Sequence, residues 1–340
     1  MKHHERESFI YTIRSGKTYI ENNLIILPPS IDILAQSYIK YNETYEQCLY
    51  DGIMTEDDMI VWLKEHQIWT KFHENTVENL KKEIEDLKVK IYESRKDPKA
   101  CKNIKYNIAN KEELLNNNLS LKNSQYSNTC EAMATNSRMN FIISNTTYLN
   151  NKPYDFKEYS VDKVLYFWQN SILTESQCRE LVRNEPWRST WAISKNTNTK
   201  LFYNPKKSDL TINQKNLVIW SQIYDNSYES MESPEKSVYE DDDMFDGWMI
   251  LQSRKNEKQK HGKYAEEITN NKKIKSASEV FVVANNNDHA ENIYNLNSDY
   301  GKHIIKNRFA AIEHHGSLSQ NELPDEALNL QMQHNARLGK

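Results

Sequence analysis

The chain has 340 residues, 38% of them apolar and 27% charged, and its 48 carboxylates against 44 Lys and Arg leave a formal charge of -4. That near-balance offers no overall attraction to nucleic acid or to an acidic membrane, and only seven glycines argue against Gly-rich phosphate loops and for a helical protein. Twenty Tyr and seven Trp are too many for a disordered chain, while a mean hydropathy of -0.86 points to a helical or elongated protein rich in surface.

Residues 1–7 are charged and lead into no apolar stretch, and no run approaches the roughly eighteen apolar residues of a membrane span, so neither a secretion signal nor a membrane segment is expected. From Phe9, Tyr11 and Ile13 through Ser15-Gly16-Lys17 to Tyr19 and Leu27, apolar residues alternate about a glycine. This pattern predicts a small N-terminal β-hairpin within residues 1–30. Pro28-Pro29 ends it, and Ser30 is placed to cap a helix over 31–50 with Ile31, Leu34, Tyr38, Tyr41, Tyr45 and Leu49 along one side. Asp51-Gly52 closes that helix, and Thr55 with Asp58 forms a capping-box pattern for a short helix over 56–66.

Residues 70–120 read as a helical hairpin. Val77, Leu80, Ile84, Leu87 and Ile91 repeat at spacings of three and four, and Pro98 then forces a break after Asp97. Cys101, Ile104, Ile108, Leu115 and Leu119 share one side of a return helix, so two antiparallel arms can cover each other's seams and project from a helical domain over 31–150. Tyr126, Cys130, Met133, Met139, Ile142 and Ile143 continue that domain as a third long helix against the hairpin base.

Asn150-Asn151-Lys152-Pro153 reads as a boundary, followed by a second helical domain over 151–228. Within it, Ile172-Leu173-Thr174-Glu175 followed by Trp187 echoes Ile53-Met54-Thr55-Glu56 followed by Trp69, a pattern that a duplication would leave. Residues 229–263 run from acidic through Gly247-Trp248-Met249 to basic, which predicts an exposed docking segment. A helical region and polar tail fill 264–340.

Few residues point to chemistry. Ser15-Gly16-Lys17-Thr18 lacks the glycine that a phosphate loop needs at position 11, where Tyr11 stands. Counted from Asp241, a calcium loop would need Gly at position 246 and Glu at 252, which are Asp246 and Gln252. His314 and His315 are adjacent rather than three or four apart, the four cysteines form no Cys-x-x-Cys pair, and no nucleophile turn is present. No catalytic, cofactor or metal residue is therefore assigned, and the chain is expected not to be an enzyme. Trp248 and Phe245, flanked by Asp242, Asp243, Arg254 and Lys255, are the candidate partner-binding residues. The basic stretch over 254–275 offers the alternative of a nucleic-acid-associated factor.

In Asp51-Gly52-Ile53-Met54-Thr55-Glu56, in Trp69, in the charged heptad hairpin and in Asp242-Asp243-Met244-Phe245-Asp246-Gly247-Trp248, the chain resembles tail and baseplate-hub assembly proteins of large, myovirus-like tailed bacteriophages. The resemblance implies a helical protein with a small β N-terminus that acts without catalysis in virion morphogenesis, as a chaperone or a minor structural component. Its partners would be other phage structural proteins, with a homo-oligomer also compatible, and its location the host cytoplasm during assembly or the virion itself. It carries over no individual functional residue.

Overall fold

A computed structural model of the protein describes residues 3–20, 23–197, 199–204, 210–270, 287–295, 297, 301–306 and 308–309. The chain divides into two compact units, Met1–Ile250 and Leu251–Lys340. Among the described residues both are mainly helical, and the first also holds a small antiparallel sheet of four strands in the order β1-β2-β3-β4, so the mainly α expectation holds.

Residues expected to form the first arm of the β-hairpin are instead a helix, α1 (His3–Ser15). The alternation of Phe9, Tyr11 and Ile13 misleads because the residues that bury are Ile10 and Ile13, three apart on a helix face, while Phe9 and Tyr11 stay exposed. Gly16, at φ +71°, turns the chain from α1 into β1 (Thr18–Ile20), which pairs with β2 (Leu24–Ile26). The hairpin exists, shifted to 18–26. Its second strand pairs with β3 (Thr147–Leu149), and β3 with β4 (Lys152–Pro153). The expected boundary at 150 therefore falls inside a hairpin. Asn150 and Asn151 both sit at positive φ, the conformation of a tight two-residue turn that Asn tolerates.

Helix α2 (Ile31–Tyr50) starts on Ser30, whose hydroxyl accepts from the Ile33 N–H. Gly52 lies just beyond its end at φ +76°, and the Thr55–Asp58 capping box opens α3 (Glu56–Glu65). Both arms of the helical hairpin form: α4 (Lys71–Glu93) buries Val77, Leu80, Ile84, Val89 and Ile91, and α5 (Pro98–Lys122) buries Cys101 and Ile108. Asp97 caps α5 with Pro98 in its first turn, where proline's missing N–H costs nothing. At its base the hairpin packs Val77, Leu115 and Leu119 against Met59, Leu63 and Trp69.

Helix α6 (Cys130–Thr146) lies along α2, rather than chiefly on the hairpin. With α7 (Val161–Asn170) and the sheet it encloses a second cluster of Leu24, Ile26, Ile143, Tyr154, Val164 and Leu165. The contact between α2 and α6 mixes polar and apolar groups. The Thr44 hydroxyl donates to Ser137 Oγ at 2.9 Å, Arg138 Nε donates to Ser37 Oγ at 3.3 Å, and Cys48 meets Met133. Of the side read as apolar in the sequence, Leu34, Tyr41 and Tyr45 are half-buried, while Ile31, Tyr38 and Leu49 remain exposed.

The largest cluster joins α1 to α8 (Glu175–Arg183), α9 (Trp187–Thr197), α10 (Ile212–Tyr228), α11 (Lys236–Tyr239) and the start of α12 (Asp242–Asn270). Its centre holds Trp187, Leu217, Tyr224 and Phe245, all fully buried. Gln214, also fully buried, donates to the Ile13 carbonyl and to Asn204 Oδ1, both at 2.7 Å, and accepts from Asn204 Nδ2 and the Thr211 N–H. Its amide is thereby satisfied, and it stitches α1 to α10.

The two echoing segments share local form: Thr55 and Thr174 each close a capping box, and Trp69 and Trp187 are both buried. Their downstream elements differ, since Trp69 precedes the long α4 whereas Trp187 begins α9. In the second unit, α12 runs on to Asn270 and α13 (Asn287–Asn295) is a further helix. The apolar run at 280–284, the basic residues 272–275, the adjacent His314 and His315 and the tail beyond 316 lie outside the described residues.

Candidate functional site

The predicted docking residues Phe245 and Trp248 are core residues. Phe245 is fully buried and stacks on Tyr224 at 4.7 Å, and Trp248 stacks on Phe245 at 5.8 Å. The Trp248 indole N–H donates to the Glu232 carbonyl at 3.2 Å. This corrects the expectation of an exposed hot spot, and the reason is periodic. Met244, Phe245, Trp248 and Met249 occupy one face of a helix that closes over α8 and α10, and charges on either side in sequence say nothing about whether that face is covered.

The acidic residues beside them are likewise engaged within the fold. Asp241 pairs with Lys105 of α5, and Asp242 Oδ1 accepts from Arg183 Nη1 at 2.7 Å. Asp243 lies 4.0 Å from Lys88 of α4. Asp246 takes Lys88 at 2.8 Å and Arg179 at 2.7 Å. Arg179 is itself buried, at 4% exposure, paired also with Glu175 and stacked 4.0 Å over the Trp220 ring. Acidic residues in the first turn of α12 are favoured by the helix dipole, and four cations from α4, α5 and α8 meet them there. The end of the acidic segment, Asp241 to Asp246, is an internal ion-pair lattice, while Glu229, Glu232, Glu235 and Glu240 before it are exposed.

Within that lattice the charges hold each other. Burial alone pulls the Lys88 ammonium down, but the hydrogen bond and charge of Asp246 outweigh it and leave its pKa raised. The same balance raises Arg179, with Asp246 and Glu175 as partners. For Asp243 burial wins, and its carboxyl is pushed above the ordinary range despite Lys88. Burial also pushes Tyr224 up to about 12 and the Cys178 thiol up to about 11.

Gly247 explains how α4 approaches so closely: a Cβ there would stand 1.8 Å from the Lys88 carbonyl oxygen. The hairpin arm is thus held at its far end by α12 as well as at its base by α3. Arg254 and Lys255 belong to the other unit, on α12, with Arg254 half-buried and Lys255 exposed.

Open apolar surface lies elsewhere. A groove of about 850 Å³ runs between α1, the β1–β2 hairpin, α6, α7 and α10. Phe9, Ile13, Ile26, Met139, Ile142, Trp168, Leu173 and Ile212 line it, and His4, Glu5, Lys17, Arg138 and Lys215 supply its ionisable groups. A concave, mainly apolar surface of this volume suits a small molecule or the apolar side chains of a partner. Among the described residues, no group of three or more His, Cys, Asp or Glu could hold a metal ion, and all four cysteines are buried and free. None of the described helices is long and apolar enough to cross a membrane.

Sequence reasoning missed the partners of the acidic run: Lys88, Lys105, Arg179 and Arg183. One local signal was present, since Glu175, Arg179 and Arg183 recur every four residues and so share a helix face. It missed the groove as well, because segments far apart in the chain build it. Compared with protein-family models, with curated proteins and with solved structures, the chain matches none of them.

Proposed function

We propose that the chain is a non-enzymatic protein–protein interaction protein of bacteriophage tail or virion assembly, acting in the host cytoplasm as a chaperone of tail components or carried into the particle as a minor structural part. The observation that supports this reading most is the groove of about 850 Å³, open and lined chiefly by apolar side chains. Three clusters bury the core of the first unit, and the groove is a concave apolar surface beside two of them that a partner's side chains can fill. The resemblance to tail and baseplate-hub proteins supplies the setting.

The test is affinity capture of the full chain from cells in which a tailed phage encoding it is assembling, with the captured proteins identified by mass spectrometry. Tail or baseplate proteins are expected in stoichiometric amount. Phe9→Glu and Ile212→Glu, at groove positions 42% and 45% exposed, are expected to lose them without a change in melting temperature. If tail proteins are absent and the chain instead binds DNA or RNA with an affinity that falls log-linearly with salt, the reading fails in favour of the nucleic-acid alternative. That alternative would use α12, where Lys255 and Lys260 are exposed.

A further inference from the structure

One side of helix α2 turns to α6: Ser37 and Cys48 are buried there and Leu34, Tyr41, Thr44 and Tyr45 half-buried. A second band of apolar residues, on the adjoining side, stays in water, which a helix with a single buried face would not show. Ile31, Tyr38 and Leu49 succeed one another along a single face at spacings of seven and eleven, and are 55%, 55% and 45% exposed. Ile39 and Tyr50, 59% and 88% exposed, widen the band on one side. Five such side chains offer on the order of 500 Å² of apolar surface, the size of patch that is often functional on a monomer.

Charge along that widened edge has one sign. At 3.6 residues per turn, Asp32, Glu43 and Glu46 fall beside Ile39 and Tyr50, and all three are exposed. The single Lys of the helix, Lys40, lies further round and pairs with Glu43 at 3.2 Å. A second copy of this chain laid on the same face would set carboxylates against carboxylates, which costs rather than stabilises. A basic partner would not.

From the exposed band and its acidic edge together we infer that the outer face of α2 docks a basic amphipathic helix of a partner protein. Leucine-like side chains of that helix lie on Ile31, Tyr38, Ile39, Leu49 and Tyr50, and its Lys or Arg residues meet Asp32, Glu43 and Glu46. Helix-on-helix recognition of this kind reads anchors at i, i+3, i+4 and i+7. This rests on the interaction reading above but uses residues that do not line the groove, although Arg138 of its wall lies 3.9 Å over the Tyr38 ring.

The probe is a fluorescein-labelled 18-residue Leu–Lys peptide with leucines at helical spacing, titrated with the full chain and followed by anisotropy. Two control peptides accompany it, one of scrambled order and one with Glu in place of every Lys. The wild-type chain is expected to bind the Leu–Lys peptide at least tenfold more tightly than either control. Ile39→Asp is expected to weaken that binding at least tenfold, and the double substitution Glu43→Lys with Glu46→Lys to transfer preference to the Leu–Glu peptide. Equal binding of the scrambled peptide, or binding unchanged in both variants, overturns the inference. So does sedimentation showing a wild-type dimer that Ile39→Asp dissolves, because a second copy then occupies the face. If Phe9→Glu abolishes capture of tail proteins while Ile39→Asp leaves it intact, the α2 surface fails and the interaction reading stands.

Discussion

Replacing Gly247 by Ala separates local helix propensity from tertiary fit, because the two predict opposite signs. In an exposed helix interior the change gains about 1 kcal/mol, since alanine is the better helix former. At Gly247 the added Cβ would lie 1.8 Å from the Lys88 carbonyl oxygen and 2.6 Å from its carbon, both backbone atoms that no rotamer change can move aside. Ordinary contact needs about 3.5 Å, so α4 has to retreat by about 1.5 Å. Overpacking on this scale costs about 1–3 kcal/mol. Retreat also draws Lys88 from Asp246, 2.8 Å away in the wild type with side chains 19% and 16% exposed, and breaking a buried pair costs up to about 3–5 kcal/mol. With the propensity gain subtracted and the pair only weakened, the expected net loss is about 2–4 kcal/mol. Guanidinium denaturation followed by circular dichroism measures it. A variant stabilised by about 1 kcal/mol would refute the close approach of α4 and α12.

Trp248→Ala is expected to lower stability by about 3–5 kcal/mol, the cost of emptying a buried indole site, which thermal melting reads directly. A variant that melts like the wild type but loses a partner would restore the exposed-hot-spot reading. Thr174→Ala removes the hydroxyl that accepts from the Gln177 N–H and is expected to cost about 1 kcal/mol in the same assay. Burial raises Asp225, yet hydrogen bonds from Trp191, Arg188 and Lys195 outweigh it and hold its pKa below the ordinary value. Its stabilising contribution is present above the unfolded pKa and lost only as pH falls through the lower folded one. The stability deficit of Asp225→Asn is therefore expected to persist from pH 7 to pH 4 and to shrink below that, in urea titrations at stepped pH. Asp243 has the opposite sign, because burial raises its folded pKa. Its stability contribution is full below the unfolded pKa and is lost as pH rises through the folded one. Asp243→Asn is expected to be neutral or stabilising at pH 7, with that gain fading below the ordinary carboxylate range.

The features legible in the sequence were local. Ser30, Thr55 and Thr174 act on N–H groups three residues away, Pro98 stops one helix and starts the next, and the Val77-to-Ile91 seam needs only the period of a helix, so each lies within a few residues of its own signal. The failures came where two signals shared a stretch or where a partner was distant. Phe9-Tyr11-Ile13 alternates like a strand while Ile10 and Ile13 are spaced like a helix, and burial against α10 decided for the helix. Asn150-Asn151 signalled a tight turn as well as a break, and only pairing with β2, over 120 residues earlier, tells them apart. The apolar stripe of α2 is covered only in part, at Leu34, Tyr41 and Tyr45 and not at Ile31, Tyr38 or Leu49, and no local rule says how far round a helix its neighbour will reach. For the acidic run the missing facts were cations on α4, α5 and α8 between about 60 and 160 residues upstream, and for the groove the convergence of segments from His4 to Lys215. Loop closure over such distances is set by the whole topology.

The stitching of α1 to α10 sets an order of events during synthesis. Ile10 and Ile13 are buried by residues from Leu173 to Trp248, at least 160 positions later. A ribosome adding about 5–20 residues per second makes the first helix and then leaves it without its seat for roughly 10–50 s. A helix made so far ahead of its seat is enclosed late, and during that interval its two isoleucines are open to chaperones.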